Sequence, residues 1–170
     1  MRQAAGIVPG GFSFGEAMSP TIVPMRKEHA WAVSLLRCSA FFEGSSRTPD
    51  QDAGELCALV ENDDFETALV AIVDGQPVGS VLLVRHELDA AHDLTPWLAG
   101  LVVAEDHRHL GIGSALVRAL EERAVSLGVE TRHLYTWEAR DFYVRLGWKE
   151  VASFVQDGEP AVLMSRKLRS

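Results

Sequence analysis

Residues 101–116, LVVAEDHRHLGIGSAL, constrain the fold of this chain more than any other stretch. Leu101, Val102 and Val103 read as the end of a strand. A charged segment follows, through Arg108, His109 and Leu110, and then Gly111-Ile112-Gly113-Ser114 opens a helical pattern. A strand, a glycine turn and a helix start in that order make an anion site. The first turn of a helix has N–H groups without an intrahelical partner, and the aligned peptide dipoles leave partial positive charge there. Glycine lets the backbone approach a bulky phosphate because no Cβ stands between. Arg108 adds a fixed cation at the mouth of the turn. The chemistry this predicts is capture of a pyrophosphate.

Three glycine loops compete for such a site. A dinucleotide fingerprint needs G-x-G-x-x-G directly after the strand. Here Leu116 stands at the third glycine position and a charged segment intervenes. A nucleotide-triphosphate loop needs G-x-x-x-x-G-K-[ST], and no such string occurs. What remains is Arg108-x-x-Gly111-x-Gly113. With Leu101, Val103 and Ile112, it resembles the L-x-V…R-G-x-G-I-G signature of the GNAT superfamily of N-acetyltransferases. Glu105 departs where proline is common, and His109 departs where glycine is usual. A second segment, Ala139-Arg140-Asp141-Phe142-Tyr143-Val144-Arg145-Leu146-Gly147-Trp148, resembles the superfamily's A-x-x-F-Y-x-x-x-G-F/W string. It follows the first at a distance of one helix, one strand and a turn. The resemblance covers residues 65–168 and fades toward the N-terminus.

The resemblance implies an α/β (α+β) fold: a mixed, mostly antiparallel sheet of about six or seven strands flanked by about four helices. It implies acetyl-coenzyme A (acetyl-CoA) as cosubstrate and no metal. The pyrophosphate is expected on the amides of His109, Leu110, Gly111, Ile112, Gly113 and Ser114, with Arg108 alongside. The pantetheine arm is expected to pair with Leu101, Val102 and Val103 where two strands splay, and a backbone N–H near Val103 to meet the thioester oxygen. Tyr143 matches the tyrosine that many members place near the sulfur. A phenol of pKa about 10 can donate to a thiolate of pKa about 8.5. Tyr143 is therefore the expected catalytic residue, as general acid or sulfur-positioning group, and Phe142 is assigned to the core. Thr136 stands where many members have asparagine.

An amine of pKa about 10.4 is neutral only about once in a few thousand molecules at pH 7, so its proton needs an acceptor. The histone-acetylating branch carries a glutamate about six residues before the position of Val103, which here is Trp97 and cannot serve. Glu138, Glu43, His133, His86 and Glu87 are candidates by residue type, and a water chain is an alternative. His107 and His109 form an imidazole pair without further ligands at useful spacing, so metal binding is not expected. Trp31, Trp97, Trp137 and Trp148 fit core positions, with Trp97 considered for the acceptor pocket.

A chain of 170 residues suits one domain. No apolar run reaches the roughly 18 residues of a membrane span, and residues 1–20 lack the apolar block of a signal peptide. They are expected to form a flexible arm, or an extension before a start at Met18, ahead of a single domain over 21–170. The two cysteines, Cys38 and Cys57, read as reduced core residues. These features favour a cytoplasmic protein that does not engage membrane. The net charge of −8 argues against nucleic acid. It favours a cationic amine or a basic peptide end as acceptor. Oligomeric state stays open, a homodimer included.

Along the chain, strands are expected at Thr21–Arg26, Phe65–Val73, Val78–Glu87, Trp97–Val103 and Thr131–Trp137. A closing hairpin is expected from Val151–Val155 and Ala161–Lys167, around Asp157-Gly158. Helices are expected over Glu28–Phe42, from Pro49 onward, after the glycine turn up to Gly128, and around Phe142-Tyr143. In the third helix, Leu116, Ala119, Leu120, Ala124 and Leu127 form the apolar face, and Arg118, Glu121 and Glu122 the solvent face. The predicted activity is acetyl transfer to a primary amine by direct attack in a ternary complex. A non-catalytic CoA-binding module, or transfer of another acyl group, is the alternative.

Overall fold

The computed structural model describes residues 19–62, 65–91 and 93–168. The arm expected over residues 1–20 lies outside them up to residue 18. The described residues form β1 (Thr21–Pro24), α1 (Lys27–Phe41), α2 (Pro49–Glu61), β2 (Thr67–Val73), β3 (Gln76–Val84), β4 (Trp97–Val103), α3 (Ile112–Ser126), β5 (Thr131–Thr136), α4 (Arg140–Arg145), β6 (Lys149–Gln156) and β7 (Glu159–Lys167). One seven-stranded sheet has the order β1-β2-β3-β4-β5-β7-β6. Every neighbouring pair is antiparallel except β4–β5, which is parallel.

β3 shows why its sequence is an unbroken apolar run. Side chains alternate across a strand. Val81 and Leu83 enter one core cluster, and Leu82 and Val84 enter the other. Both faces of the central strands are therefore covered. α3 lies on the first face, where Leu116, Val117, Leu120 and Ala124 are completely buried. α1 and α2 cover the second through Ala30, Val33 and Leu56. Thr48 caps α2: its hydroxyl accepts from Gln51 N–H at 3.2 Å, and the Gln51 amide oxygen accepts from Thr48 N–H at 3.0 Å.

Three readings of the sequence need correction. Glu121 does not face solvent. It is 9% exposed and meets the guanidinium groups of Arg132 and Arg166, each at 3.1 Å. Arg132 is completely buried on β5, and burial lowers its pKa to about 10. Trp31 and Trp137 are not core residues but about half exposed, whereas Trp97 and Trp148 are buried. Periodicity within one element cannot show what other elements leave uncovered.

Candidate active site

The glycine turn forms as its sequence dictates. Arg108 is extended, His109 has φ 63°, and Gly111 has φ 80° as the residue before α3. The first hydrogen bond of the helix runs from Ala115 N–H to Gly111 C=O at 3.0 Å. The amides of Ile112, Gly113 and Ser114 lie ahead of it and are left for a ligand or water. Ile112 sends its side chain into the core, so only its backbone faces the turn. A Cβ on Gly111 would meet open space. Arg108 folds back and donates from Nε to the Val103 carbonyl at 3.1 Å, which joins the cation to the strand end. His109 sits in a left-handed conformation that glycine adopts without strain.

The strand before the turn has an open edge. β4 and β5 share one ladder position, Trp97 with His133, backed by a 3.0 Å bond from His133 N–H to the Pro96 carbonyl. From Leu98 to Val103 the β5 side of β4 has no strand partner. On its other side β4 pairs with β3, interrupted by a bulge. Gly100 and Leu101 together oppose Val81, and Gly100 has φ 60°. An unpaired strand edge that ends at unpaired helix amides can take an extended chain carrying a terminal anion.

Phe142 reaches the turn end of this slot, and Tyr143 follows it on α4. A Cβ on Gly113 would lie 3.5 Å from Phe142 and 3.8 Å from Val103, so α4, β4 and the turn converge there. Tyr143 is 6% exposed, packed edge-on between Phe142 and Trp148, and burial pushes its pKa up. Its phenol is neutral throughout the working pH range. The Thr136 hydroxyl accepts from Ala139 N–H at 3.0 Å in the turn that leads into α4.

The far end of the slot is polar. His133 and Tyr135 point to the α1/α2 face of β5, opposite Arg132 and Leu134. Burial lowers the pKa of His133. Tyr135 has its pKa raised, first by burial and then by the charges of Glu87 and Asp157. Glu87 is exposed, three residues beyond the end of β3. Desolvation raises its carboxyl pKa and Arg37 opposes that rise. Of the candidate bases, the structure brings Glu87 and His133 to this end. Glu43, Glu138 and His86 are exposed, as is Glu87, but only Glu87 among these four interacts electrostatically with Arg37 and Tyr135. Trp97 is completely buried, with its indole N–H given to Leu94 C=O at 2.8 Å, so it forms the floor and does not line an open acceptor pocket.

Sequence reasoning missed Arg37 and Asp52. Arg37 is 8% exposed and Asp52 is 0% exposed. Arg37 grips Asp52 with Nε at 2.9 Å and Nη2 at 3.3 Å, and Arg47 adds Nε and Nη2 at 3.1 and 2.8 Å. The only sequence signal was the position of Arg37 on the stripe Ala30, Val33, Ser34, Arg37, where an apolar residue is expected.

Residues 31–148 match the model of the acetyltransferase (GNAT) family. The chain belongs to this family. A GNAT relative, an uncharacterised N-acetyltransferase of Methanocaldococcus jannaschii, is 32% identical over 107 residues, covering 58% of this chain and 64% of its own length. Solved GNAT structures share the fold. An aminoglycoside 6′-N-acetyltransferase complexed with coenzyme A superposes with a TM-score of 0.70 at 18% identity, over 86% of this chain and 96% of its own. An N-acetyltransferase from Staphylococcus aureus Mu50 reaches a TM-score of 0.74 at 16% identity, over 89% and 99%. Among the described residues of this GNAT protein, no helix is long and apolar enough to cross a membrane.

Proposed function

We propose that the chain transfers an acetyl group from acetyl-CoA to a primary amine by direct attack in a ternary complex. The observation that carries this reading is the unpaired β4 edge ending at the free amides of α3. Coenzyme A has the matching shape: an amide-bearing arm that can add to a strand edge, joined to a pyrophosphate. The pyrophosphate lies on the amides from His109 to Ser114 with Arg108 beside it, and the arm follows Leu101, Val102 and Val103. We place the thioester at the Gly100–Leu101 bulge rather than beside Val103, because the bulge leaves backbone amides outside the β3 ladder.

The residues of this chain then divide the work. The amine enters from the α1/α2 face, where Glu87 takes its proton. The raised pKa of Glu87 makes it a better proton acceptor than an ordinary surface carboxylate. Tyr143, with its pKa raised, donates a hydrogen bond to the leaving sulfur and keeps its own proton. The net charge of −8 and Glu87 attract the acceptor in its ammonium form, which favours a cationic amine or a basic peptide end. The two free cysteines suit the reducing cytoplasm.

The test is purified protein with acetyl-CoA and a panel of polyamines, aminoglycosides, simple amines and peptide N-termini, with thiol release as the readout. Thiol release that depends on one amine class supports the reading. Coenzyme A binding with no acyl consumption across the panel replaces it with a non-catalytic binding module.

A further inference from the structure

Arg37 occupies a place where α1 should carry an apolar side chain, and one edge of its guanidinium is unemployed. Nε and Nη2 are taken by Asp52. Asp52 is not dependent on them for neutralisation, because Arg47 also donates to it twice and pairs with Glu55 as well. Nη1 of Arg37 donates to nothing among the described residues and rests against Gly100, where an added Cβ would collide with it. The fork on Asp52 and the flanking rings of Phe41 and Phe42, at 6.0 and 5.7 Å, hold the guanidinium in place. A rigid donor held against a strand bulge is placed to meet an acceptor that arrives with a ligand.

The bulge fixes where that acceptor sits. Gly100 is required twice: its φ of 60° is unfavourable for other residues, and any side chain would displace Arg37. It lies on the open β4 edge, three residues back from Val103, toward the end that His133 closes. We propose that Arg37 is a catalytic residue whose Nη1–H meets the thioester oxygen of the bound acyl-CoA, with Asp52 as the positioning residue that aims it. The inference rests on the proposed use of acetyl-CoA.

The electron flow is complete without any proton leaving Arg37. The amine nitrogen lone pair forms a bond to the thioester carbon, and the carbonyl π pair moves onto oxygen. Nη1–H holds that oxyanion with a fixed charge already in position before the reaction. The carbonyl then re-forms, the C–S bond breaks, and its electron pair leaves on sulfur, which accepts a hydrogen bond from Tyr143. The surplus amine proton goes to Glu87. Glu87 carries the negative charge that interacts with Arg37 at this end, so an acidic acceptor would be repelled from it.

The experiment compares acetyl-CoA with S-ethyl-CoA, a thioether of nearly equal size without the carbonyl, by calorimetry on the full chain. Wild type is expected to bind acetyl-CoA about tenfold more tightly, the step associated with one charge-assisted hydrogen bond. Arg37→Gln should lose that preference while its affinity for S-ethyl-CoA stays the same. Arg37→Lys keeps a cation for Asp52, but its donors sit on one nitrogen that cannot reach both Asp52 and the slot, and it should show the same loss. Asp52 retains Arg47 in both variants, and circular dichroism checks the fold. With an acceptor from the panel, kcat should fall and the acceptor KM should hold. An unchanged acetyl preference in both variants, or a rise confined to the acceptor KM, overturns the proposal. If wild type binds neither thioester nor thioether, the cofactor reading itself has failed.

Discussion

His133 is the ladder partner of Trp97, and this pair joins β4 to β5 at one end of an otherwise open edge. Trp97 stands where the resemblance to the histone-acetylating branch would place a glutamate base, and the base proposed here comes from a neighbouring element. Glu87 and His133 both reach that end. Their environments separate them: burial raises the Glu87 pKa and lowers that of His133.

Glu87→Gln should therefore reduce kcat/KM about 10²–10⁴-fold, the range for general acid–base groups. In wild type, the active form is the Glu87 carboxylate. Activity should fall as pH drops through a pKa above the ordinary carboxylate range, and that limb should vanish in Glu87→Gln. His133→Gln should keep the limb. A pH–rate profile for the three proteins decides between them.

Tyr143→Phe keeps the ring packed between Phe142 and Trp148 and removes the donor. Turnover should fall about 10²-fold, the lower end of the acid–base range, because the phenol positions sulfur and does not release its proton. Acetyl-CoA affinity should be unchanged. Single-turnover kinetics with calorimetry separate the two quantities, and wild-type turnover would show that the thiolate leaves unaided.

Much of this architecture was legible in the sequence. The limits of β4 agree at Trp97 and Val103, and α3 begins at the glycine turn and ends before Gly128. Those elements are fixed by local chemistry: an apolar run, two glycines, an amphipathic period. The edges of β1, β2 and β3 shifted by two or three residues, because ladder partners rather than propensity end a strand. Arg37–Asp52 and Glu121–Arg132 were not legible. Each pair joins two elements, and a charge on a helix reads as solvated until its partner is placed.

The Glu121–Arg132 pair gives a stability prediction. Glu121→Ala leaves the completely buried Arg132 and the half-buried Arg166 without their shared carboxylate. The loss should be about 3–5 kcal/mol, since breaking a buried pair strands a charge. Urea unfolding measures it; a loss below about 1 kcal/mol would mean water reaches Arg132.

His109→Gly should act in the opposite direction. The position has φ 63°, where a non-glycine residue is strained by about 1 kcal/mol. The variant should be more stable by up to about that amount and should retain coenzyme A binding. Thermal unfolding with and without coenzyme A tests both parts.

Raising salt should lower kcat/KM for the preferred acceptor, because screening weakens attraction to a protein of charge −8. A kcat/KM independent of salt would assign acceptor choice to the shape of α1, α2 and their loop.

In the proposed complex the glycine turn and the open β4 edge hold coenzyme A together. Gly113→Val places methyl groups beside Phe142 and Val103, where the turn meets the slot. Calorimetric titration of coenzyme A into wild type and Gly113→Val is the direct measurement. Saturable binding to wild type and none to the folded variant is the predicted result. Equal affinity in the two proteins would contradict this placement and put the phosphate site elsewhere.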